Sequence, residues 1–420
     1  MTSSQSVLAA LCIILIDLSG RAGLDKVLAL SGGPDRVALW AQLQSVVELV
    51  STVAIVGVLL GLTVLVAQAK SPRDERALLR DALKLGLLTS LTVGLAAPWL
   101  GTWLTQEKIS LGLFVLAALA GFFAVVPATL NAYWLGKHLQ QRMLGLALLA
   151  SVILLLIAAG AWLGLSLGNL ILFQCLALLF FAGATLRYLR KLAGSSEQGD
   201  REYYRKLTSF VPVGLAIGIM SPVSLLLVRG LLSGMLSWND VGLMQALWRS
   251  AEWVTATAAG VMSLIFLPRL SASHGSAQFN RELVRAGVIV LAAAAILLLG
   301  IYFNQSAMLA TLYDTRFAVS DEAAALIMLG SWVRVASWLF LFGLFAASRT
   351  RLIVAGEVLS LPLFALLLWL FSEGMTLERA SLLYLTSFIV YLGFNAAALY
   401  WPLRNSGWQT PRDSSRSDFI

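Results

Sequence analysis

The residues of this sequence that could do chemistry are charged side chains set inside long apolar stretches. Four are basic and four are acidic. They are Arg21, Arg229, Arg249 and Arg334, together with Asp17, Glu48, Glu252 and Glu357. A charged side chain at the centre of a bilayer costs at least about 3 kcal/mol on insertion scales. Eight of them therefore predict a polar, water-filled cavity inside a membrane protein.

The four basic residues are all arginines, and none is a lysine. A guanidinium group keeps its charge and presents a planar fork that matches two oxygens of a phosphate or a carboxylate. We therefore expect the four arginines to bind an anionic substrate.

The four acids have a different expected role. Carboxylates inside membrane proteins often take up and release protons or cations along a transport path. We therefore expect all four acids to couple substrate movement to H+ or Na+. Such coupling needs no bound cofactor, and none is predicted.

Two pairs of these charged residues could instead neutralise each other within one helix and bind nothing. Asp17 and Arg21 are four positions apart, and Arg249 and Glu252 are three apart. Each pair lies on one face of its helix and could simply neutralise itself. Asp25 continues the first stripe, but it lies close enough to the end of its span to reach water.

Arg229 and Arg334 have alternatives of their own. Arg229 lies about two turns from the outer end of its span and could extend to the lipid headgroups. Arg334 has no acid within one helical turn. It could be neutralised only at long range, by Glu357 or Glu48.

Metal, disulfide and nucleotide chemistry are not indicated. The two cysteines, Cys12 and Cys175, both lie in apolar runs, and the two histidines, His138 and His274, are far apart. These spacings fit neither a disulfide framework nor a zinc site. The sequence also lacks the G-x-x-x-x-G-K-[ST] phosphate-binding loop, so ATP chemistry is not expected.

The composition places these charges in a membrane protein. Of the 420 residues, 59% are hydrophobic and 12% are charged, whereas a soluble domain carries about 25% charged residues. The mean hydropathy is +0.83. A soluble enzyme, a disordered chain and a nucleic-acid-binding domain are therefore excluded. The net charge of +8 is then a topology signal.

An all-α polytopic fold follows, because a membrane-spanning helix needs about 20 mostly apolar residues. Twelve such stretches are predicted. They are 5–31, 37–67, 82–104, 109–135, 143–166, 168–189, 207–236, 238–268, 284–304, 321–347, 352–372 and 380–402.

The thirty lysines and arginines separate by side. Twenty-one lie in the connections after even-numbered spans, in the adjoining span ends or in the C-terminal tail, and five lie on the opposite side. By the positive-inside rule, both termini are predicted to lie in the cytoplasm.

The sequence also divides into two similar halves. Its most polar internal stretch separates six spans from six, and residues 37–54 align with 241–258 at a constant offset that places Glu48 on Glu252. Parallel repeats of this kind form a substrate site between them. We expect an N-terminal lobe at 1–190, a cytoplasmic linker at 191–206, a C-terminal lobe at 207–403 and a cytoplasmic tail at 404–420.

Three stretches resemble a known family. They are SWNDVGLMQALWRSAEWVTATAAGVMSLIFLPRLS at 237–271, KVLALSGGPDRVALWAQLQS at 26–45, and AGEV at 355–358. The first is similar to the eighth-helix region of the Wzx-type lipid-linked oligosaccharide flippases, and especially of the subgroup that serves the enterobacterial common antigen. The resemblance covers most of the chain and is strongest in its second half.

The resemblance implies a fold and an activity. The fold is that of the multidrug/oligosaccharidyl-lipid/polysaccharide (MOP) exporters, with twelve helices in two lobes. The implied activity is translocation of an undecaprenyl-pyrophosphate-linked sugar unit, such as an O-antigen or common-antigen repeat, across the bacterial inner membrane, and not an enzymatic reaction. The implied partners are that lipid-linked glycan and the bilayer, with the polymerase and glycosyltransferases of the same pathway as further candidates. A multidrug or cation antiporter of the same superfamily is the alternative.

Overall fold

A computed structural model describes residues 3–69, 71–105, 109–137, 139–193, 201–209, 211–273, 276–347 and 349–400. Within these ranges the chain is helical and forms no strand, as the predicted fold class requires. The predicted tail at 404–420 lies outside the described residues, as does the middle of the predicted linker at 194–200.

Sixteen α-helices occur in the described residues. They are α1 (Ser3–Ala54), α2 (Leu60–Gln68), α3 (Pro72–Leu104), α4 (Leu111–Gly136), α5 (Gln140–Trp162), α6 (Leu167–Ala193), α7 (Arg201–Ser209), α8 (Val211–Met235), α9 (Trp238–Val261), α10 (Leu267–Ser273), α11 (Ala277–Phe303), α12 (Gln305–Leu312), α13 (Asp321–Ala346), α14 (Thr350–Val358), α15 (Leu361–Leu370) and α16 (Leu377–Tyr400).

Ten helical stretches of the described chain are long and apolar enough to cross a membrane. One of them, Leu18–Ala67, has 50 residues and is long enough to cross twice. Helix α9 is not among the ten, since Arg249 and Glu252 lie in its middle. These observations agree with twelve spans, although the count itself and the side on which the termini lie stay predictions.

Helix α1 is a hairpin of two helices. Gly33 has a φ of 69° and a ψ of −164°, a conformation that glycine adopts without strain. Arg21 and Glu48 would lie about 40 Å apart along a straight helix, yet Arg21 Nη1 is 3.8 Å from Glu48 Oε1. The chain therefore folds back at Gly33, between the predicted spans 5–31 and 37–67.

Two helical stretches differ from the simple spans that the sequence predicted, each for a local reason. Helix α3 begins ten residues before the predicted start at 82, because Ser71 caps it by accepting a hydrogen bond from the Asp74 amide and Pro72 fits the first turn. The predicted span 352–372 is broken between α14 and α15. Pro362 cannot donate a backbone hydrogen bond, and its ring disfavours an unbroken helix.

The two halves of the chain meet along α1, α8 and α9. Leu43, Leu226 and Leu247 are fully buried there, and the Gln42 side chain donates a hydrogen bond to the Leu226 carbonyl, 3.3 Å away. The charged residues of these three helices are thereby brought together inside the molecule.

A short π-helical segment interrupts each half at a matching place. Ile55–Leu59 follows α1, and Met262–Phe266 follows α9. The two segments are separated by nearly the same offset that places Glu48 on Glu252 in the sequence. The two halves therefore share a backbone feature at comparable positions, while the internal repeat itself stays a prediction. Such segments are rare and often occur at functional sites.

Candidate substrate site between the two halves

A central cavity lies where α1, α8, α9, α13 and α16 approach one another. Its lining is polar and includes Glu48, Arg229, Arg249, Glu252 and Arg334. A side chamber in the N-terminal half adjoins it and adds Arg21. The structure thus brings six of the eight charged residues singled out in the sequence to one region, while their roles stay predictions.

Arg249 bridges the two halves of the chain. Its Nε lies 3.2 Å from Asp25 Oδ2 on α1, and its Nη1 lies 2.7 Å from Glu252 Oε2 on its own helix. The expectation that Asp25 reaches water was wrong, since this residue is only 7% exposed. Pairing within α9 therefore occurs, but a second acid from the other half shares the same guanidinium.

The connection after α12 covers this ion pair. Tyr313 and Phe317 are both buried there and stack with their ring centroids 4.9 Å apart. Burial raises the pKa of the Tyr313 hydroxyl well above its ordinary value, and the nearby Asp25 carboxylate raises it further. Tyr313 therefore stays neutral beside the Asp25–Arg249 pair.

Arg21 pairs across the hairpin with Glu48, at 3.8 Å between Nη1 and Oε1. Both side chains are partly exposed, so this pair can exchange partners with water or a ligand. The Asp17 side chain, its predicted partner within the helix, lies outside the described residues.

Arg229 is buried, at 5% exposure, and does not reach the headgroups. Its Nε and Nη2 donate to Gln245 Oε1 at 3.0 and 2.8 Å. Its Nη1 donates to the Ala41 carbonyl at 3.2 Å and to the Ser45 hydroxyl. Four of its five N–H bonds are therefore used to join α8 to α1 and α9, and this arginine mainly fastens the two halves together.

Arg334 differs from the other three arginines. It lines the central cavity, where its guanidinium carbon lies 4.8 Å from the ring centroid of Trp338 and 5.4 Å from that of Phe388. The guanidinium makes no hydrogen bond or ion pair within the described part of the chain. The two rings hold it by cation–π attraction and leave its N–H fork available to an anion.

Glu357 lies apart from the cavity. Its Oε1 accepts a hydrogen bond of 2.8 Å from the Tyr391 hydroxyl, between α14 and α16. No direct ion pair joins Arg334 to Glu357 or Glu48 among the described residues, but Arg334 and Glu357 are close enough to interact electrostatically at longer range. Glu48 and Glu252 thus line the cavity, whereas Glu357 lies outside its lining, against Tyr391.

Several uncharged lining residues were not singled out from the sequence. Gln44 and Tyr384 line the central cavity, and Trp40 and Gln174 line the side chamber. Gln44 precedes Glu48 by one helical turn, so helical spacing could have found it. Nothing in the sequence distinguishes Gln174 from an ordinary polar residue in an apolar helix.

A lateral gap between α1, α5 and α9 adjoins these charges. Its described lining combines Arg21, Arg249 and Glu252 with apolar side chains. The apolar residues are Ile13, Leu18, Ala147, Ala150 and Ala256. A molecule with an anionic head and an apolar tail could place its head in the cavity and keep its tail in the lipid.

The halves are closed together at the end of the molecule that carries Gly33, which is the predicted periplasmic end. Arg316 Nη2 donates to the carbonyls of Ala29 at 2.8 Å and Leu30 at 3.3 Å, and Lys26 donates to the Ala310 carbonyl at 3.4 Å. Gly242 packs so closely on Pro34 that a Cβ would lie 2.1 Å from its carbonyl oxygen.

An ion pair orients Arg316 in this closure. Its Nε lies 2.5 Å from Asp314 Oδ2, and this hydrogen bond holds the pKa of Asp314 below its ordinary value. The carboxylate therefore stays ionised in mildly acidic surroundings. The closure is not a device that mild acid would release.

Comparison with known proteins agrees with this architecture. No family model matches the chain. Over 415 residues it is 23% identical to the lipid III flippases of Escherichia coli (strain K12) and of Shigella flexneri, covering 93% of this chain and 96% of each relative.

Solved structures show the same fold. An inward-facing multidrug transporter of the MATE family and MOP superfamily has a TM-score of 0.71 at 10% identity, covering 94% of this chain and 98% of that one. The lipid II flippase MurJ in an inward closed conformation has a TM-score of 0.67 at 12% identity, covering 94% and 87%. A MATE transporter in a bent conformation has a TM-score of 0.61 at 11% identity, covering 95% and 96%.

The chain therefore has the fold of the MOP exporters, as the sequence predicted. Ten of its described helical stretches are long and apolar enough to cross a membrane. The two curated relatives that it resembles along nearly its whole length are both lipid III flippases.

Proposed function

We propose that the protein is an inner-membrane flippase. Its substrate is an undecaprenyl-pyrophosphate-linked oligosaccharide, which it moves from the cytoplasmic to the periplasmic leaflet. The single observation that carries the proposal is the guanidinium of Arg334, which faces the cavity without an ion pair among the described residues. A pyrophosphate group matches it in charge and in geometry.

The lateral gap supports a lipid substrate in particular. A pyrophosphate-linked glycan cannot cross hydrocarbon unaided, for the same reason that ionised side chains do not. The apolar side chains that line the gap suit a polyprenyl tail that stays in the bilayer while the head reaches Arg249 and Arg334. The lipid III flippases that the chain resembles are named for the flipping of a lipid.

The closed end suggests how the cycle runs. The halves are fastened at the predicted periplasmic end by Arg316 and by the packing of Gly242 on Pro34. Substrate enters from the cytoplasmic side, its phosphates compete with Asp25 and Glu252 for Arg249, and the loosened halves open toward the periplasm. This is alternating access between two halves around a fixed site.

The coupling ion is the second part of the proposal. Glu48 and Glu252 pair with arginines that the substrate also approaches, so substrate binding changes their surroundings. Glu357 lies behind the cavity with Tyr391. We expect H+ or Na+ uptake at these acids to reset the empty protein. The pathway's polymerase and glycosyltransferases stay proposed partners.

The multidrug antiporter is the competing function, and the MATE structures share its fold. An organic cation would meet Arg334 in the cavity with no ion pair to neutralise it. That charge disfavours cationic cargo by several kcal/mol when it is desolvated, on the order of a like-charge contact.

Complementation tests the proposal. The wild type, Arg334→Gln and Arg281→Gln are produced in a bacterium that lacks its own lipid-linked oligosaccharide flippase, at membrane levels checked by immunoblot. Arg281 is exposed on α11 and away from the cavity, which makes it a matched control. We expect surface glycan with the wild type and the control, and accumulated lipid-linked intermediate with Arg334→Gln.

Failure of the inserted wild type in every glycan host would instead favour the antiporter. Rescue by Arg334→Gln at the wild-type level would remove the anion site from the proposal.

A further inference from the structure

We propose that the side chamber in the N-terminal half recognises uncharged hydroxyl groups of the sugar attached to the lipid pyrophosphate. The inference rests on the proposed function and names a second part of the same site. The chamber is lined by Arg21, Asp25, Trp40, Gln44, Glu48 and Gln174, among others.

Two glutamines form the polar wall of the chamber. Gln44 Nε2 donates to Gln174 Oε1 at 2.8 Å, and Gln174 Nε2 donates back to Gln44 Oε1 at 3.1 Å. Gln44 lies on α1 and Gln174 on α6, and Gln174 is only 7% exposed. The reciprocal bonds fix both amides in place within the wall.

The pair does not use the full bonding capacity of either amide. A side-chain amide offers two N–H donors and an oxygen with two lone pairs. Each glutamine spends one donor and one lone pair on its partner and makes no other hydrogen bond with the described residues. One donor and one acceptor therefore remain on each amide. A sugar hydroxyl, which donates and accepts at once, is the complementary group.

Trp40 also lines the chamber and is 3% exposed. Its indole N–H donates no hydrogen bond to the residues that the structure describes, yet it is not one of their fully buried polar atoms without a partner. The N–H therefore keeps some accessible surface. A sugar hydroxyl in the chamber is a suitable acceptor for it.

The charges at the mouth of the chamber cancel. Arg21 pairs with Glu48 at 3.8 Å, and Arg249 pairs with Asp25 at 3.2 Å. The chamber therefore offers hydrogen bonds without net charge, while the guanidinium of Arg334 lines the central cavity and not the chamber. The chamber thus fits an uncharged sugar better than an acidic one.

The two sites are continuous. Gln44, Glu48 and Arg249 line both the chamber and the central cavity. A substrate with its pyrophosphate at Arg334 can extend its first sugars into the N-terminal half. The phosphate then supplies much of the affinity, and the glutamine pair supplies selectivity for the glycan.

Binding to the full-length protein in nanodiscs tests the inference. The probes are undecaprenyl pyrophosphate, which has no sugar, and undecaprenyl pyrophosphate carrying an uncharged oligosaccharide. We expect the wild type to bind the second about tenfold more tightly, the effect of one or two hydrogen bonds. The double variant Gln44→Met/Gln174→Met removes both amides and keeps their length, so neither is left with an unpaired partner.

The double variant should bind both lipids equally, because the preference for the glycan depends on the two amides. Gln278→Met is the matched control, since Gln278 is exposed at the start of α11, and it should keep the tenfold preference. A thermal melt shows whether each variant is folded.

The outcomes separate the two proposals. A folded double variant that keeps the preference for the glycan overturns the inference and leaves the flippase intact, as does a wild type that binds both lipids equally. A wild type that binds neither lipid overturns the proposed function itself. If the double variant fails to fold, the single variant Trp40→Phe, which removes only the N–H, should still reduce the preference, and an unchanged preference overturns the inference.

Discussion

At the scale of residues, the guanidinium groups of the four intramembrane arginines lie in three different kinds of surroundings. Arg249 is shared by two acids, Arg229 is enclosed by neutral acceptors, and Arg334 rests on aromatic rings. Arg21 resembles Arg249 in being paired with an acid, but more loosely. The four arginines therefore differ in how readily they can bind an anion. We expect substitutions at them to differ in effect accordingly.

Replacement of Arg334 by lysine is predicted to weaken pyrophosphate binding nearly as much as replacement by glutamine. Lysine keeps the charge but loses the planar fork and the stacking on Trp338 and Phe388. We expect a loss of about 1.5–3 kcal/mol, or roughly tenfold to a hundredfold in Kd. Titration of nanodisc-embedded protein with undecaprenyl pyrophosphate measures it, and full affinity in the lysine variant would show that charge alone suffices.

Asp25 and Arg249 are predicted to be coupled in stability. Asp25→Asn alone, or Arg249→Gln alone, leaves a charge partly unpaired in a buried setting. We expect the two substitutions together to destabilise the protein by about 1–3 kcal/mol less than the sum of the single effects. A double-mutant cycle on thermal stability in detergent gives this energy. Strictly additive losses would mean that the contact contributes nothing.

At the scale of elements, the Gly33 turn decides that residues 3–54 form two spans and not one long helix. Its φ of 69° suits glycine, and a Cβ there would lie 3.0 Å from Arg316 Nη1. The turn thus presents the last carbonyls of the first helix, those of Ala29 and Leu30, to the Arg316 guanidinium. Cationic groups are favoured at such a helix end.

Gly33→Ala is therefore predicted to destabilise the protein by about 1–2 kcal/mol, through backbone strain at positive φ and displacement of Arg316. Gly145→Ala is the matched control, since a Cβ added at this position in α5 would meet no atom within 4 Å. It should be neutral or stabilise by up to about 1 kcal/mol. Thermal unfolding in the same detergent compares them, and equal melting temperatures would contradict the assigned strain.

At the scale of the whole molecule, one end of the two halves is fastened and the substrate path opens elsewhere. Gly242 packs very closely in this closure, because a Cβ added at this position would lie 2.1 Å from the Pro34 carbonyl oxygen. Interfaces of this kind switch between discrete packings and do not deform continuously. A single added methyl group is thus expected to shift the population of the two states.

Gly242→Ala is predicted to separate the halves at the Gly33 end and to favour the state open to the periplasm. Spin labels at Asp35 and Thr315, both exposed at this end, report the distance by double electron–electron resonance. Cys12 and Cys175 are first replaced by serine. We expect a longer distance population in Gly242→Ala and none in Gly300→Ala, whose added methyl group would meet no atom. An unchanged distribution would mean that α9 relaxes locally.

The sequence predicted the fold class and the charged residues of the site, because long apolar runs and charges within them are visible without a structure. It did not predict the burial of Asp25, which depends on how α9 and the connection after α12 cover it. It also could not show that Arg334 is the intramembrane arginine whose guanidinium makes no hydrogen bond or ion pair with the described residues. Partners such as Asp25 and Arg249 are 224 positions apart, and only the packing of whole helices brings them together.

The balance of charge in the central region has an electrical consequence. Five acids, Asp17, Asp25, Glu48, Glu252 and Glu357, accompany the four arginines in the membrane-spanning helices. With one H+ or Na+ taken up at these acids, the empty protein moves almost no net charge when its halves rearrange, so the voltage across the membrane does little work on its return. A bound pyrophosphate adds about two negative charges, and an interior-negative voltage of 100 mV then favours its outward passage by about 4–5 kcal/mol. The cargo itself would carry the current.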